Sequence, residues 1–505
     1  YPKATGAITE SRAASNGPQL ATNFEGNSFN GVPNDNDLAI SNAGKIVSVT
    51  NSRIHIYDAF TQEELASRSL GSFASDLDVS GSKYDPKVIY DPNNDRFVMI
   101  FLNGFTFETS QIIVAFSKTN DPTQDWNLYA LPGNPLDNDS WSDYPVIGMS
   151  GKDLYIGMNT FLNGSENNSG FVETCLWQIG LKEGYIGFEL NTNYFNNILP
   201  QNARPIFNIC PISPAAESDM ENMYLLSNRN TDLENDSVFL LEVTGRVSDP
   251  NAELVITGLI ADQPYVLPVP ANQTIDDFLD TNDGRILGGY YINNRLYYVQ
   301  SCTDPNNGRA AIYLGLINDI SNAPSIVSRV FSEPGLDYGF PNISWSGISN
   351  DDDHSIISFN PSSETDFAGC SAIHVDGSLN GSSRVAIKEG LSGVNVMQSE
   401  LERWGDYSGS QRKYNSPGKV WAVGSMGNGS NGHGTWIGEL LSPSIATSIS
   451  ETHELSHSVE MYPNPFVENT TIEFHSESTN VMRIEIRDIE GKLVKLLLED
   501  RVKKG

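Results

Sequence analysis

Three aspartates stand where they could do chemistry together. Asp85 opens Asp85-Pro86-Lys87-Val88-Ile89-Tyr90, Asp143 precedes Tyr144-Pro145-Val146-Ile147-Gly148-Met149, and Asp406 opens Asp406-Tyr407-Ser408-Gly409. Each lies just before a short apolar run, with Arg403 three residues ahead of Asp406. Carboxylates gathered from separate loops can exchange protons with a ligand, accept its hydrogen bonds or hold a hard cation. Loops that converge at one end of a β-structure would make these four residues a binding site at a channel mouth. The competing reading is structural: aspartates also cap turns and tie neighbouring units together. Other chemistries lack their residues. There is no Gly-x-Ser-x-Gly, no His-Glu-x-x-His and no phosphate loop, and the seven histidines are scattered singly.

The elements that must position these residues are short strands separated by polar turns. Ile46-Val47-Ser48-Val49 and Arg53-Ile54-His55-Ile56-Tyr57 begin the pattern, and no amphipathic helix interrupts it before the C-terminal tail. Unit starts recur at Asp37, Asp85, Tyr144, Arg204, Arg285, Phe340 and Asp406, each followed by a second strand rich in large apolar residues. Seven such units predict an all-β, seven-bladed β-propeller, with a double β-sandwich as the rival arrangement. Gly148, Gly288, Gly289 and Gly409 suit crowding of the first strands near an axis. Trp436-Ile437-Gly438-Glu439-Leu440 alternates, and residues 20–24 precede the first unit, so the early arm is expected to pair with the last unit and close the ring. The division that follows is an arm over 1–22, a propeller over 23–441, a linker over 442–457 and a small Ig-like sandwich over 458–505.

Asp91-Pro92-Asn93-Asn94-Asp95-Arg96 and Asp304-Pro305-Asn306-Asn307-Gly308-Arg309 share one turn chemistry. Asn34-Asp35-Asn36-Asp37, Asp137-Asn138-Asp139 and Asp351-Asp352-Asp353 offer oxygen ligands that would suit calcium, without the spacing of an EF-hand. Four cysteines allow three pairings; joining neighbouring units favours Cys175 with Cys210 and Cys302 with Cys370, against four free buried thiols.

Charge excludes one class of partner. Of the formal net charge of -32, residues 459–505, with seven Lys or Arg and nine Asp or Glu, account for almost nothing. The body is strongly acidic and would repel nucleic acid. No apolar run reaches the roughly 18 residues of a membrane span. The chain begins at Tyr1, as one does after removal of a signal peptide.

Near the end, Tyr462-Pro463-Asn464-Pro465-Phe466 is an extended segment, because each proline fixes its own φ and restricts the residue before it. Alternating strands follow at Thr471-Ile472-Glu473-Phe474 and Met482-Arg483-Ile484-Glu485-Ile486-Arg487, with Gly491 turning into a leucine-rich strand. This stretch resembles the type A C-terminal sorting domain of the type IX secretion system of Bacteroidota. The resemblance implies a shuttle protein and an outer-membrane translocon as partners, and a secreted or cell-surface location. In that setting Asp236-Ser237-Val238 matches the pattern of O-glycosylated exported proteins, with Ser237 the acceptor. Upstream, Asp85-Pro86-Lys87-Val88, Ser117-Lys118-Thr119-Asn120-Asp121-Pro122 with Trp126, and Arg403-Trp404-Gly405-Asp406-Tyr407-Ser408 resemble secreted sialidase-like propellers, although the Ser117 stretch lacks the glycine of their Asp box. A sialidase would need converging arginines and a tyrosine nucleophile, for which Arg204, Arg285, Arg403 and Tyr407 are the available residues. The expected function is recognition or adhesion, with a surface glycan as ligand. The alternative is a glycan-processing exo-hydrolase acting at the channel mouth.

Overall fold

The computed structural model describes residues 16–28, 32–164, 170–200, 204–216, 220, 222–445, 459–462, 470–474, 480–487 and 493–502. The chain divides into two compact units, residues 1–444 and 445–505. In the first, antiparallel four-stranded sheets follow one another along the chain, at residues 37–69, 83–132, 140–195, 210–266, 286–331 and 337–388. A seventh combines three strands of residues 409–441 with the N-terminal strand Gln19–Ser28. Leu20 pairs with Leu440, and Phe24 with Ile437, so the expected pairing of the early arm with the last unit is present. The strand extends beyond the predicted end of the arm at residue 22.

Why these segments are strands is clearest in the second sheet. Its inner strands, Arg96–Asn103 and Gln111–Ser117, are buried almost throughout and read as continuous apolar runs, as strands covered on both faces must. Its outer strand Trp126–Pro132 is only half-buried and correspondingly mixed in composition. Each sheet shares an apolar core with the next. Val47 and Ile54 pack with Phe97 and Phe101, Ile100 and Phe116 with Ile156 and Trp177, and Tyr155 and Leu176 with Leu225 and Leu241. The succession continues through Leu226 with Tyr298, Tyr297 with Phe359 and Cys370 with Leu440, and returns to the first sheet through Phe24 and Ile437 against Ile40 and Ile46. Each fully buried side chain of this kind contributes about 1.5–3 kcal/mol, and the interlocking cores hold the strands without long helices. Two short helices, Leu70–Phe73 and Leu181–Ile186, of four and six residues, lie between the strands.

These pairings establish an all-β chain of small sheets. The seven-bladed β-propeller expected from the sequence is not shown as such, because the fourth and fifth sheets touch through short parallel contacts, Ser213 with Tyr290 and Ala261 with Ile326. They thereby join into one closed eight-stranded barrel. Two further readings are corrected. The fourth sheet begins at Cys210 rather than Arg204, since the proline at 205 and the left-handed backbone of Asn208 (φ 66°) delay the strand. The expected disulfides are absent: Cys175, Cys210, Cys302 and Cys370 are all free and buried, and they behave as small apolar side chains.

A repeated device shapes the first strands. The ladder slips between Tyr84 and Lys87, between Asp143 and Val146, and between Gly339 and Asn342. Inside each slip a residue with positive φ precedes a proline: Asp85 (51°), Tyr144 (52°) and Phe340 (50°). Such bulges bend a strand and re-aim its side chains, and a left-handed non-glycine residue persists only where its surroundings hold it.

In the second unit Val459–Tyr462 pairs with Thr471–Phe474, and Asn480–Arg487 with Leu493–Val502. Of the predicted sorting signal, Tyr462 ends the first of these strands. Pro463, Asn464, Pro465, Phe466 and Gly491 lie outside the described residues.

Candidate functional site

The bulges bring the predicted aspartates to one place. Asp85, on the second sheet, feels the charges of Asp143 on the third, of Asp406 and Arg403 just ahead of the seventh, and of Asp35 just ahead of the first. Asp406 is held on two sides. Arg403 Nη2 and Asn282 Nδ2 both donate to its Oδ1, at 2.6 and 2.7 Å. Its main-chain N–H donates to Asp35 Oδ1 at 2.8 Å, and Asn51 Nδ2 donates to Asp35 Oδ2 at 3.1 Å. Asn51 also accepts from the Asp85 main-chain N–H at 3.2 Å. The Asp85 carboxyl differs from its neighbours: it is 8% exposed and accepts no hydrogen bond from any described residue.

Burial dominates the electrostatics. It holds the Asp35 carboxyl well above the usual range, with the Asp406 charge adding to it. Asp85 is likewise raised well above that range, first by burial and then by Asp143, Asp35 and Asp406. Asp143 is pushed up to about 6, chiefly by burial; Asp406 adds, whereas the Tyr144 N–H, Arg285 and Arg403 oppose. Burial thus makes the charged forms of Asp35 and Asp85 costly, and a cation brought close to either carboxylate would relieve that cost.

Close to the carboxyl groups stands a stack of rings and cations. The Lys87 ammonium sits 3.1 Å from the Tyr407 ring centroid, Tyr407 meets Tyr144 edge-on at 6.4 Å, and the Arg285 guanidinium lies 4.1 Å from the Tyr144 ring. Tyr407 Oη donates to the Pro86 carbonyl at 2.9 Å, tying the seventh unit to the second. Arg285 forks onto Asp283, with Nε and Nη2 at 2.7 and 2.8 Å from the two carboxylate oxygens. Lys87 also lines a cavity of about 190 Å³ that draws on the first strand of all seven sheets, through Leu38, Val88, Val146, Pro211, Gly288, Asn342 and Ser410; Asp85, Asp143, Asp406 and Arg403 are not among its lining residues.

Arg403 owes its place to a small sheet outside the seven. Phe278–Asp280 pairs antiparallel with Ala271–Asn272 and parallel with Leu401–Arg403, setting Asp280 opposite Arg403. Its neighbour Glu402 is fully buried and accepts from the N–H groups of Val396, Met397 and Ser399. His433, whose ring burial pushes down to about 4, is neutral, so its Nε2 donates to the Arg403 carbonyl at 3.1 Å. No pattern in the sequence connects residues 271–280 with 401–403, but the sequence is informative nearby. It did hold a usable sign of Asn282 and Asp283, which stand in a polar run just before a first strand, as Asp85 does.

The remaining candidates fall elsewhere. Arg204 pairs with Asp232 and lines a separate groove of about 260 Å³ with Phe171, Phe207 and Arg229. The four residues named for a sialidase set therefore do not converge. Ser237 lies in the strand Glu234–Thr244 beside a register slip, half-buried. Asp91 and Asp304 turn their carboxylates onto their own loops, accepting from Asn93 and Asn306 N–H groups at 2.9 and 2.8 Å. Among the described residues no group of three or more His, Cys, Asp or Glu side chains is arranged to hold a metal ion. No helix among them is long and apolar enough to cross a membrane.

Residues 460–504 match the family described as the secretion system C-terminal sorting domain. That domain indicates export by the type IX secretion system to the cell surface or extracellular space, and interaction with that system's machinery. A search of curated proteins found no match. Among solved structures, the chain is similar to a protein of unknown function from Dyadobacter fermentans DSM 18053, at 7% identity and TM-score 0.42, covering 84% of this chain and 99% of that one. It is also similar to polysaccharide lyase Uly1, at 9% identity and TM-score 0.43, covering 86% and 94%. A Trypanosoma rangeli sialidase mutant displaying trans-sialidase activity follows at 12% identity and TM-score 0.36, covering 73% of this chain and 56% of that one. Likenesses this distant carry no argument about activity.

Proposed function

We propose that residues 23–441 form a seven-bladed β-propeller that the type A sorting domain of a Bacteroidota protein carries to the cell surface, where the propeller mouth recognises a glycan. What supports the architecture is the succession of shared cores, the N-terminal strand in the last sheet, and a cavity lined by every first strand. A linker over 442–457 and a sorting domain over 458–505 complete the reading.

The observation that carries the recognition reading is the unpartnered Asp85 carboxyl among Asp143, Asp406 and Arg403. The Asp85 oxygens are not among the fully enclosed polar atoms, so a ligand hydroxyl can reach them and take the place of water. Residues fixed by tight ion pairs around it form a preorganised rim. Screening the purified protein against a glycan array and a panel of chromogenic glycosides tests this. Binding without release of chromophore is expected; no binding to any glycan would overturn it.

One observation favours the alternative of an exo-hydrolase. Asp143, raised to about 6, stands near Asp406, which an arginine holds. A proton-bearing carboxyl beside an ion-paired one is the division of labour that glycoside hydrolysis uses. Chromophore release lost in Asp143→Asn would move the assignment to that class.

A further inference from the structure

We infer that the group of the ligand that reaches Asp85 is an amine carried as an ammonium ion, as on an amino sugar with a free amino group. The inference rests on the glycan reading above and narrows its ligand class.

Most of the charges around Asp85 are already paired. Arg403 is taken by Asp406 and Arg285 by Asp283. Asp37 is the carboxylate that acts most strongly on Lys87, whose ammonium rests on the face of Tyr407. Once these pairs are made, Asp35, Asp85 and Asp143 remain without a cation of their own. Asp35 is satisfied by the Asp406 and Asn51 N–H groups. Asp85 is not. Its side chain is more than nine-tenths buried, accepts no hydrogen bond from any described residue and faces Asp143, Asp35, Asp406 and Arg403.

An anionic sugar would meet this excess of carboxyl groups unfavourably, because both nearby guanidinium groups are already engaged. A metal ion would need a closer set of ligands than these side chains form among the described residues. An ammonium group has three N–H donors and tolerates looser geometry, so it can bridge Asp85 and Asp143 without displacing Arg403 from Asp406. A charge-assisted hydrogen bond to a carboxylate is also stronger than a neutral one.

The test uses two oligosaccharides with one skeleton: a glucosamine oligomer with free amino groups, and its fully N-acetylated counterpart. Titrated into the full chain at neutral pH, the free-amine oligomer should bind at least about tenfold more tightly. Asp85→Asn should erase that preference. Asparagine tolerates the left-handed backbone at this position, so the variant should fold, which its unchanged melting curve would verify. Asp143→Asn should weaken the preference as well. Equal or tighter binding of the acetylated oligomer, or a preference that survives Asp85→Asn, would overturn the inference. If neither oligomer binds while a neutral glycan does, the amine assignment fails and the recognition reading stands. If no glycan of any kind binds, both fail.

Discussion

The main-chain N–H of Asp406 donates a 2.8 Å hydrogen bond to the carboxylate of Asp35, joining groups 371 residues apart in the chain. Gln411 Nε2 does the same for the Ile40 carbonyl at 2.8 Å. The carboxyl cluster is therefore assembled only when residues 35–40 meet residues 406–411, and its geometry depends on that contact.

The N-terminal strand should be structural. Removing residues 1–30 takes Phe24 out of a core that it shares with Ile40 and Ile437, a loss of about 1.5–3 kcal/mol for that ring alone. It also leaves the strand His433–Leu441 as an open edge. The shortened chain should melt clearly lower and aggregate, whereas removing residues 1–12 should change little. Thermal unfolding of both variants checks this. Equal melting temperatures would eliminate closure through the arm.

Gly409 should not tolerate a side chain. A Cβ there would run into the Asp37 carboxylate and the Leu38 N–H of the first sheet. Gly409→Ala should cost about 1–3 kcal/mol, measured by urea unfolding, because neither the Asp37 side chain nor that backbone can easily give way. A neutral effect would mean that the first and seventh sheets are less tightly apposed.

Stability should fall as Asp143 ionises. Its folded-state value of about 6 lies above the ordinary 3.8, so its stabilising effect is fully present below pH 3.8 and is lost as pH rises through 6. Asp143→Asn removes this titration. The variant should therefore gain on the parent between pH 4 and pH 7, and lose that advantage in acid. Melting temperatures measured across that interval give the answer, and parallel curves would show that Asp143 is solvated like a surface carboxylate.

Export should be separable from folding. Deleting residues 459–505 removes the matched sorting domain and leaves the first compact unit entire. The truncated protein should accumulate folded in the periplasm, detected by cell fractionation. Normal levels in the medium would mean that the signal lies elsewhere.

Much of this was legible in the residues. Asp85 and Asp143 announced themselves by standing one and two residues ahead of a proline near the starts of first strands, where the ladder slips. The pairing of residues 20–24 with 436–440 was legible because both segments alternate. Asp35 was visible only as part of an acidic loop, since its partner is a backbone N–H far along the chain, which no local pattern reveals. The sheet that positions Arg403 was hidden for a related reason: its strands are two or three residues long, too short to show a period. Cysteine spacing misled, because burial in apolar cores leaves no mark on the spacing.

The most direct test of the central claim is where a bound glycan shields the protein. Carbodiimide labelling of carboxyl groups, read by mass spectrometry with and without the best ligand of the array, compares the mouth with the rest of the surface. Labelling of Asp143 and Asp406 should fall on binding, while that of Asp232, beside the Phe171 and Phe207 groove, stays constant. Unchanged labelling at Asp143 and Asp406 with protection of Asp232 would contradict the account and move recognition to that groove.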